Sequence, residues 1–398
     1  MTMPGGPDAE RLRGLLDELG DVIEGLLRGG MTTASKATRD KLDVTFREVS
    51  RQGLLRLAAS LSNVSREIGR YVAQDAQFSA RRLSLFIGRT WLLARGMARA
   101  LRDGDATTFE RLAIDRRSEP VSELRAVTLG VHKKVVPGAF CGFDFRMRRL
   151  DGDKLGDSLA FTEMFPMKAS GAAGDRHGGP PKGSGQDIPA EAYLVIDRPQ
   201  RYKPRILLDG GVITFRNVMV HHSDSGQRLA LGKDSRVEAA APFTDWGSVP
   251  GWTPADALAR VRAHQADPLE LPNELQEEVV LDQWELGPAT KDEQRHVYPV
   301  RSWGLALDGV VADGVEGKAL RENLERLRKG QGPVGLGPGM ASIKAKVGAK
   351  RLFGLLHYET CRFVLQPLAL LGPSGPIHLM TSAEGIDHKA LLRNLVRR

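Results

Sequence analysis

Near residue 118 the chain changes the period of its apolar residues, and no single type of secondary structure can serve both sides of that change. Before it, Leu12, Leu15, Leu16, Leu19, Ile23, Leu26 and Leu27 recur at steps of three and four, the spacing that gathers side chains on one face of a helix. Gly29-Gly30 supplies a stop. A second stripe runs through Phe46, Val49, Leu57, Leu61, Val64, Ile68 and Val72, with Gly53 and Ser62-Asn63 as places to kink or break, and a third through Leu85, Phe86, Trp91, Leu92, Met97 and Leu101 up to Asp103-Gly104. Three such stripes bury themselves by packing together, so residues 1–117 are expected to form a helical bundle, closed by a short helix in "DATTFERLAI".

After the polar "DRRSEPVSE" the pattern alternates. In "AFCGFDFRMRRL", Cys141, Phe143, Phe145 and Met147 interleave with Gly142, Asp144, Arg146 and Arg148, which places an apolar face against a partly cationic one on a strand. Further strands are expected at "ELRAVTLGVHKKVV", "LAFTEMFPM", "AYLVID", "PRILL", "VITFRNVMV" and "RLALG", with a long Gly/Pro-rich loop over 168–190. Many short strands with turn signals between them indicate a barrel or sandwich over 118–252, an oligonucleotide-binding (OB-type) barrel being one member of that class. From 253 to 398 the pattern is mixed: helices at "TPADALARVRAHQ" and "GKALRENLERLRKG", two strands in "RLFGLLHYETCRFVLQPLALLG" and a terminal helix in "DHKALLRNLVRR". No repeat of fixed period is visible. The expected class is α+β, a helical bundle followed by a larger β-rich region with appended helices.

The composition excludes more than it identifies. The 398 residues are 41% hydrophobic and 27% charged, enough apolar surface for two or three cores. No apolar run reaches the roughly 18–20 residues that cross a bilayer, and the start lacks the pattern of a signal peptide; a cytoplasmic protein without a membrane partner is expected. Cys141 and Cys361 are the only cysteines, too few for a disulfide framework or a thiolate zinc site.

The candidates for chemistry are few. In "RILLDGGVITFRNVMVHHSD" two apolar runs flank Asp-Gly-Gly, and His221 and His222 precede Asp224. Neighbours on a strand point to opposite faces, so these histidines cannot share one metal unless the backbone turns; they are expected to flank a hairpin loop, one facing solvent and one capping the core. They remain the weak candidates for a metal, and no metal or cofactor is expected. "GPVGLGPGMASIK" lacks the ending of a phosphate loop and reads as a linker, and "DGDKLGDSLAFTE" reads as a hairpin turn. The formal charge of +8 favours a polyanion or an acidic partner, and the basic positions are Arg146, Arg148 and Arg149, then Lys344, Lys346, Lys350 and Arg351, then the terminal arginines. Aromatic content is only 6%. The reading is therefore a non-catalytic accessory or adaptor protein whose bundle contacts a protein partner. Nucleic-acid binding by the basic β-rich half is the alternative, and a hydrolase or metalloenzyme built on His221, His222 and Asp224 comes third.

Overall fold

In the computed structural model the described residues are 6–30, 36–75, 78–113, 117–136, 140–166, 190–195, 202–223, 226–263, 276–292, 295–336, 351–359 and 362–382. They divide into two compact units, one of residues up to Arg117 and one of residues from Ser118 on.

The first unit is a helical bundle of α1 (Gly6–Gly29), α2 (Lys36–Arg51), α3 (Leu55–Val72), α4 (Ala80–Asp103) and the short α5 (Ala106–Ala113). The second apolar stripe breaks at Gly53 and stays helical through Ser62-Asn63, so three stripes yield four main helices. Their apolar faces meet in one core that includes Leu16, Ile23, Leu57, Val64, Leu93 and Met97. Polar groups fix the register between helices: Trp91 Nε1 donates to Glu24 at 2.9 Å, and Arg95 reaches Asp21 at 2.6 Å and Glu24 at 2.7 Å. On α3, Glu67 is buried and takes both ends of the Arg82 guanidinium, at 2.8 and 2.9 Å.

The second unit begins with a closed barrel. Strands β1 (Arg117–Val136), β2 (Phe140–Arg149), β3 (Ser158–Pro166), β4 (Gly211–Ser223) and β5 (Gly226–Pro242) pair in the order β1-β2-β3-β5-β4. The β3 and β5 strands are parallel and the other registered neighbours antiparallel. A one-turn helix, α6 (Ala192–Val195), lies between β3 and β4 in the chain. The alternation read from β2 holds: Cys141, Phe143, Phe145 and Met147 are fully buried and pack with Phe161, Phe165 and Phe215. This order is that of an OB-type barrel.

Beyond α7 (Pro254–Ala263) come β6 (Glu277–Leu281), β7 (Glu285–Leu286), β8 (Thr290–Asp292), β9 (Arg295–Ser302), β10 (Leu305–Ala312), α8 (Val315–Arg328), β11 (Arg351–Glu359), β12 (Arg362–Gly372) and β13 (Gly375–His378). Their sheet runs β6-β11-β12-β10-β9-β7. Its two ends, β6 and β7, are separated by only Asp282–Trp284, so one bent strand pairs with both flanks and brings the sheet round on itself. With that bent strand counted as the first, β9, β10, β11 and β12 follow in the barrel's plan: the third and fifth strands, β10 and β12, are parallel, and α8 lies between third and fourth as α6 does in the barrel. The unit thus carries one topology twice although no period marks it in the sequence. The break expected at 252/253 falls between β5 and α7.

Barrel and second sheet meet tightly. Val127 and Leu129 of β1 belong to the core of the second sheet, and Gly130 faces it so closely that a Cβ there would lie 2.6 Å from the Phe353 ring and 3.0 Å from Leu368 Cβ.

Several expectations are corrected. "PRILL" is a 3-10 turn over Pro204–Leu207 and "AYLV" is helical; both are short apolar runs whose periodicity cannot separate strand from helix. The hairpin ending in the histidines is therefore β4 with β5, and Asp-Gly-Gly only leads into β4. The α8 helix buries Ala319, Leu320, Asn323, Leu324 and Leu327, and on it Glu325 pairs with Arg328 at 2.9 Å. The loop over 168–189, the glycine-rich stretch from 337 and the terminal segment from 383 lie outside the described residues.

Candidate nucleic-acid interface

Because the inward positions of β2 are apolar, its outward positions, Asp144, Arg146 and Arg148, form a charged row. The register sets Asp144 beside His132 and Thr162, Arg146 beside Ala160, and Ala160 beside Arg228 of β5. Arg146 pairs with Asp144 at 2.5 Å, Thr162 donates its hydroxyl to the same carboxylate at 2.8 Å, and Arg228 lies 4.0 Å from it. Arg148 donates to the Gly156 carbonyl at 2.8 Å and stands 4.0 Å from Glu278 on β6. Glu278 accepts from the Ser158 hydroxyl at 2.8 Å. Burial pushes the Glu278 pKa up, against the opposing pull of Arg148 and Arg146, and burial lowers that of His132 while Asp144 opposes it.

The face therefore sets Arg146, Arg148 and Arg228 against Asp144 and a Glu278 whose charged form burial disfavours. The Nε atoms of Arg146 and Arg148 are buried with no hydrogen-bond partner among the described residues. A guanidinium N–H left without an acceptor costs free energy, and the inward Arg149 carries one as well, at Nη1; what this face offers to solvent is the positive charge of Arg146 and Arg148, whose side chains are 16% and 18% exposed. On the same outer surface Lys134 and Met164 are exposed.

The other sequence candidates separate from this row. Arg149 points inward, is 6% exposed and pairs with Asp151 at 3.2 Å. Arg351 pairs with Asp282 and donates to the Trp246 carbonyl at 3.0 Å. Lys344, Lys346 and Lys350 lie outside the described residues, as do Asp224 and the terminal arginines. Neither histidine of the pair caps the core, since both are partly exposed. His221 Nδ1 lies 2.7 Å from the Ser118 hydroxyl, and His222 Nε2 lies 3.1 Å from Glu119. Among the described residues no three His, Cys, Asp or Glu side chains gather as a metal site would need.

Sequence reasoning missed two features. A cavity of about 490 Å³ lies beside α8, lined by His296, Tyr298, Arg321, Arg326 and Lys329 among others. There Asp313 lies 2.9 Å from His296 Nε2 and 3.0 Å from both Arg321 and Lys291, and hydrogen bonds from Lys291 and His296 hold its pKa at about 2. Arg321 sits 3.0 Å from that same ring nitrogen, so the imidazole is tied into an ion-pair cluster. The second feature is Trp303, 49% exposed at the tip of the β9–β10 hairpin; its one signal is the dipeptide Trp-Gly between two apolar runs.

Residues 12–114 match the family model described as the YehQ four-helical bundle domain. Three solved structures resemble the chain at low similarity. The Ifi202 HINa domain in complex with 20-bp double-stranded DNA is 7% identical with a TM-score of 0.26, covering 63% of this chain and 94% of that one. The p202 HIN1 domain in complex with 12-mer double-stranded DNA is 7% identical with a TM-score of 0.26, covering 63% and 90%. A murine DNA-binding protein bound with double-stranded DNA is 9% identical with a TM-score of 0.24, covering 65% and 96%. No curated protein matches the chain. No helix among the described residues is long and apolar enough to cross a membrane.

Proposed function

We propose that the β-rich unit binds nucleic acid along the outward β2–β3 face of the barrel, with Arg146, Arg148 and Arg228 as phosphate ligands, in a protein whose helical unit keeps the adaptor role toward a protein partner. The observation that carries this reading is the outward cationic row of Arg146 and Arg148, with Arg228 brought beside it across Ala160 by the strand register, on the face that barrels of this topology use for oligonucleotides. Topology alone would not suffice, because one fold serves many functions. The formal charge of +8 agrees with a polyanion. The site lies in the cytoplasmic, cofactor-free protein that the sequence reading expects.

The test is binding of a labelled oligonucleotide to the full-length protein across a range of salt. Each phosphate that is no longer neutralised should flatten the logarithmic salt dependence by about 0.7–0.9, so replacing Arg146, Arg148 and Arg228 by Ala should lower the slope by about two units. An unchanged slope would refute the assignment.

A further inference from the structure

The hairpin joining β9 to β10 turns in two residues, Trp303 and Gly304, between the paired Ser302 and Leu305. Both have positive φ, +52° at Trp303 and +77° at Gly304, which makes a type I′ turn. That turn is the natural place for Asn-Gly, because a bulky side chain in the left-handed region crowds its own backbone. Trp303 is 49% exposed and is not among the side chains packed against the core of the second sheet. The base of the turn is fixed: Ser302 is buried and donates to the Gln283 carbonyl at 2.6 Å. The neighbouring Arg301 is exposed; Glu285 lies beside it in register on β7, and no ion pair ties Arg301 down among the described residues. A strained position that fold stability does not reward points to function.

We propose that Trp303 is a stacking platform for an unpaired base and that Arg301 binds the adjoining phosphate, so that the second sheet binds single-stranded nucleic acid. This rests on the nucleic-acid reading of the barrel face and names its substrate as a single strand, because in a duplex the neighbouring base pairs cover each ring face, whereas a single strand can unstack a base onto an indole. Among ligands that stack on an indole, the protein's positive charge and the adjacent arginine favour a polyanion.

The experiment compares full-length wild type, Trp303→Ala, Trp303→Phe and Trp303→Asn, using labelled 20-nucleotide oligothymidylate, a duplex of equal length and thermal melts. Expected is preference for the single strand, about tenfold weaker binding for the Ala and Asn variants, and affinity within about threefold of wild type for Phe, as removal of one stacking partner predicts. Trp303→Asn should also melt about 2–4 °C higher, showing that the weaker binding does not come from weaker folding. Single-strand binding that is the same in all four proteins would overturn the role of Trp303 and leave the barrel face standing. Preference for the duplex would overturn the single-strand assignment. No binding to either probe at low salt would overturn this inference together with the nucleic-acid reading.

Discussion

Ser158 on β3 donates its hydroxyl to Glu278 on β6 at 2.8 Å, a bond between the barrel and the second sheet made at a carboxyl group that burial pushes toward its neutral form. A carboxyl whose folded pKa lies above its unfolded value of about 4.5 binds more protons folded than unfolded between those two values. Its contribution is complete below about pH 4.5 and is lost as pH rises through the folded value. Glu278→Gln keeps an acceptor for Ser158 and removes the ionisation, so thermal melts should show the variant at least as stable as wild type at pH 7 and with a flatter decline above pH 4.5. Glu278→Ala removes the acceptor and should cost about 1–3 kcal/mol in denaturant titrations.

Lys133 and Glu191 form a buried charge pair. Lys133 of β1 donates to Glu191, just before α6, at 2.7 Å, with side chains 4% and 8% exposed. Removing one partner leaves the other buried and unpaired, so Lys133→Met or Glu191→Leu alone should lower unfolding free energy by about 3–5 kcal/mol. The double variant, with no charge left to solvate, should recover most of that loss. Equal losses in single and double variants would show that packing, not charge, is what the pair supplies.

The legible parts of the fold were those with one wet face. Helical stripes and the alternation of β2 could be read because solvent imposes polar residues on the opposite side, and the period change at 118 marked the junction of the two units. The second sheet was obscured for the opposite reason. In β12, "RFVLQPLALLG", residues from Val364 to Gly372 are nearly all buried, since the surrounding core leaves neither face open to solvent, and such a run carries no alternation. In β6, Val279–Leu281 sit behind Glu277 and Glu278 in a stretch that reads as merely acidic. Arg146 and Arg148 were legible as a cationic row, whereas Glu278, 130 residues further on, faces Arg148 only through tertiary pairing.

The three neighbouring arginines of β2 should separate by role. Arg146 and Arg148 point outward with side chains 16% and 18% exposed, and Arg149 points inward to Asp151. Replacing Arg149 by Ala should destabilise the protein by about 1–3 kcal/mol through the abandoned carboxylate and leave the salt slope of nucleic-acid binding as it was. Replacing Arg146 or Arg148 by Ala should change the slope by about 0.7–0.9 each. Urea titrations and binding isotherms on the same three variants distinguish the two effects, and a slope change at Arg149 equal to that at Arg146 would place phosphate on the wrong side of the strand.

Glu67 of the helical unit and Glu278 of the β-rich unit should answer pH with opposite sign. In the helical unit, burial alone would raise the pKa of Glu67, but the Arg82 fork, the Ser79 amide and Arg70 outweigh it and hold the carboxyl below its usual 4.5. A depressed carboxyl contributes stability that is complete above the unfolded pKa and is lost as pH falls through the folded one. Glu67 therefore destabilises its unit on acidification below about pH 4.5, whereas Glu278 contributes most to the β-rich unit in that range. Differential scanning calorimetry of the full chain and of the Glu67→Gln and Glu278→Gln variants between pH 3 and 7 should then resolve two transitions, the first substitution flattening the acid decline of the helical one and the second flattening the decline of the β-rich one above pH 4.5. Glu67→Gln should lower the helical transition at pH 7 by the equivalent of about 1–2 kcal/mol, less than a fully buried pair because Arg82 is partly exposed to solvent screening, and should reduce its acid sensitivity. A single transition that moves as one at every pH would mean that the segments 1–117 and 118–398 do not unfold as separate cooperative units.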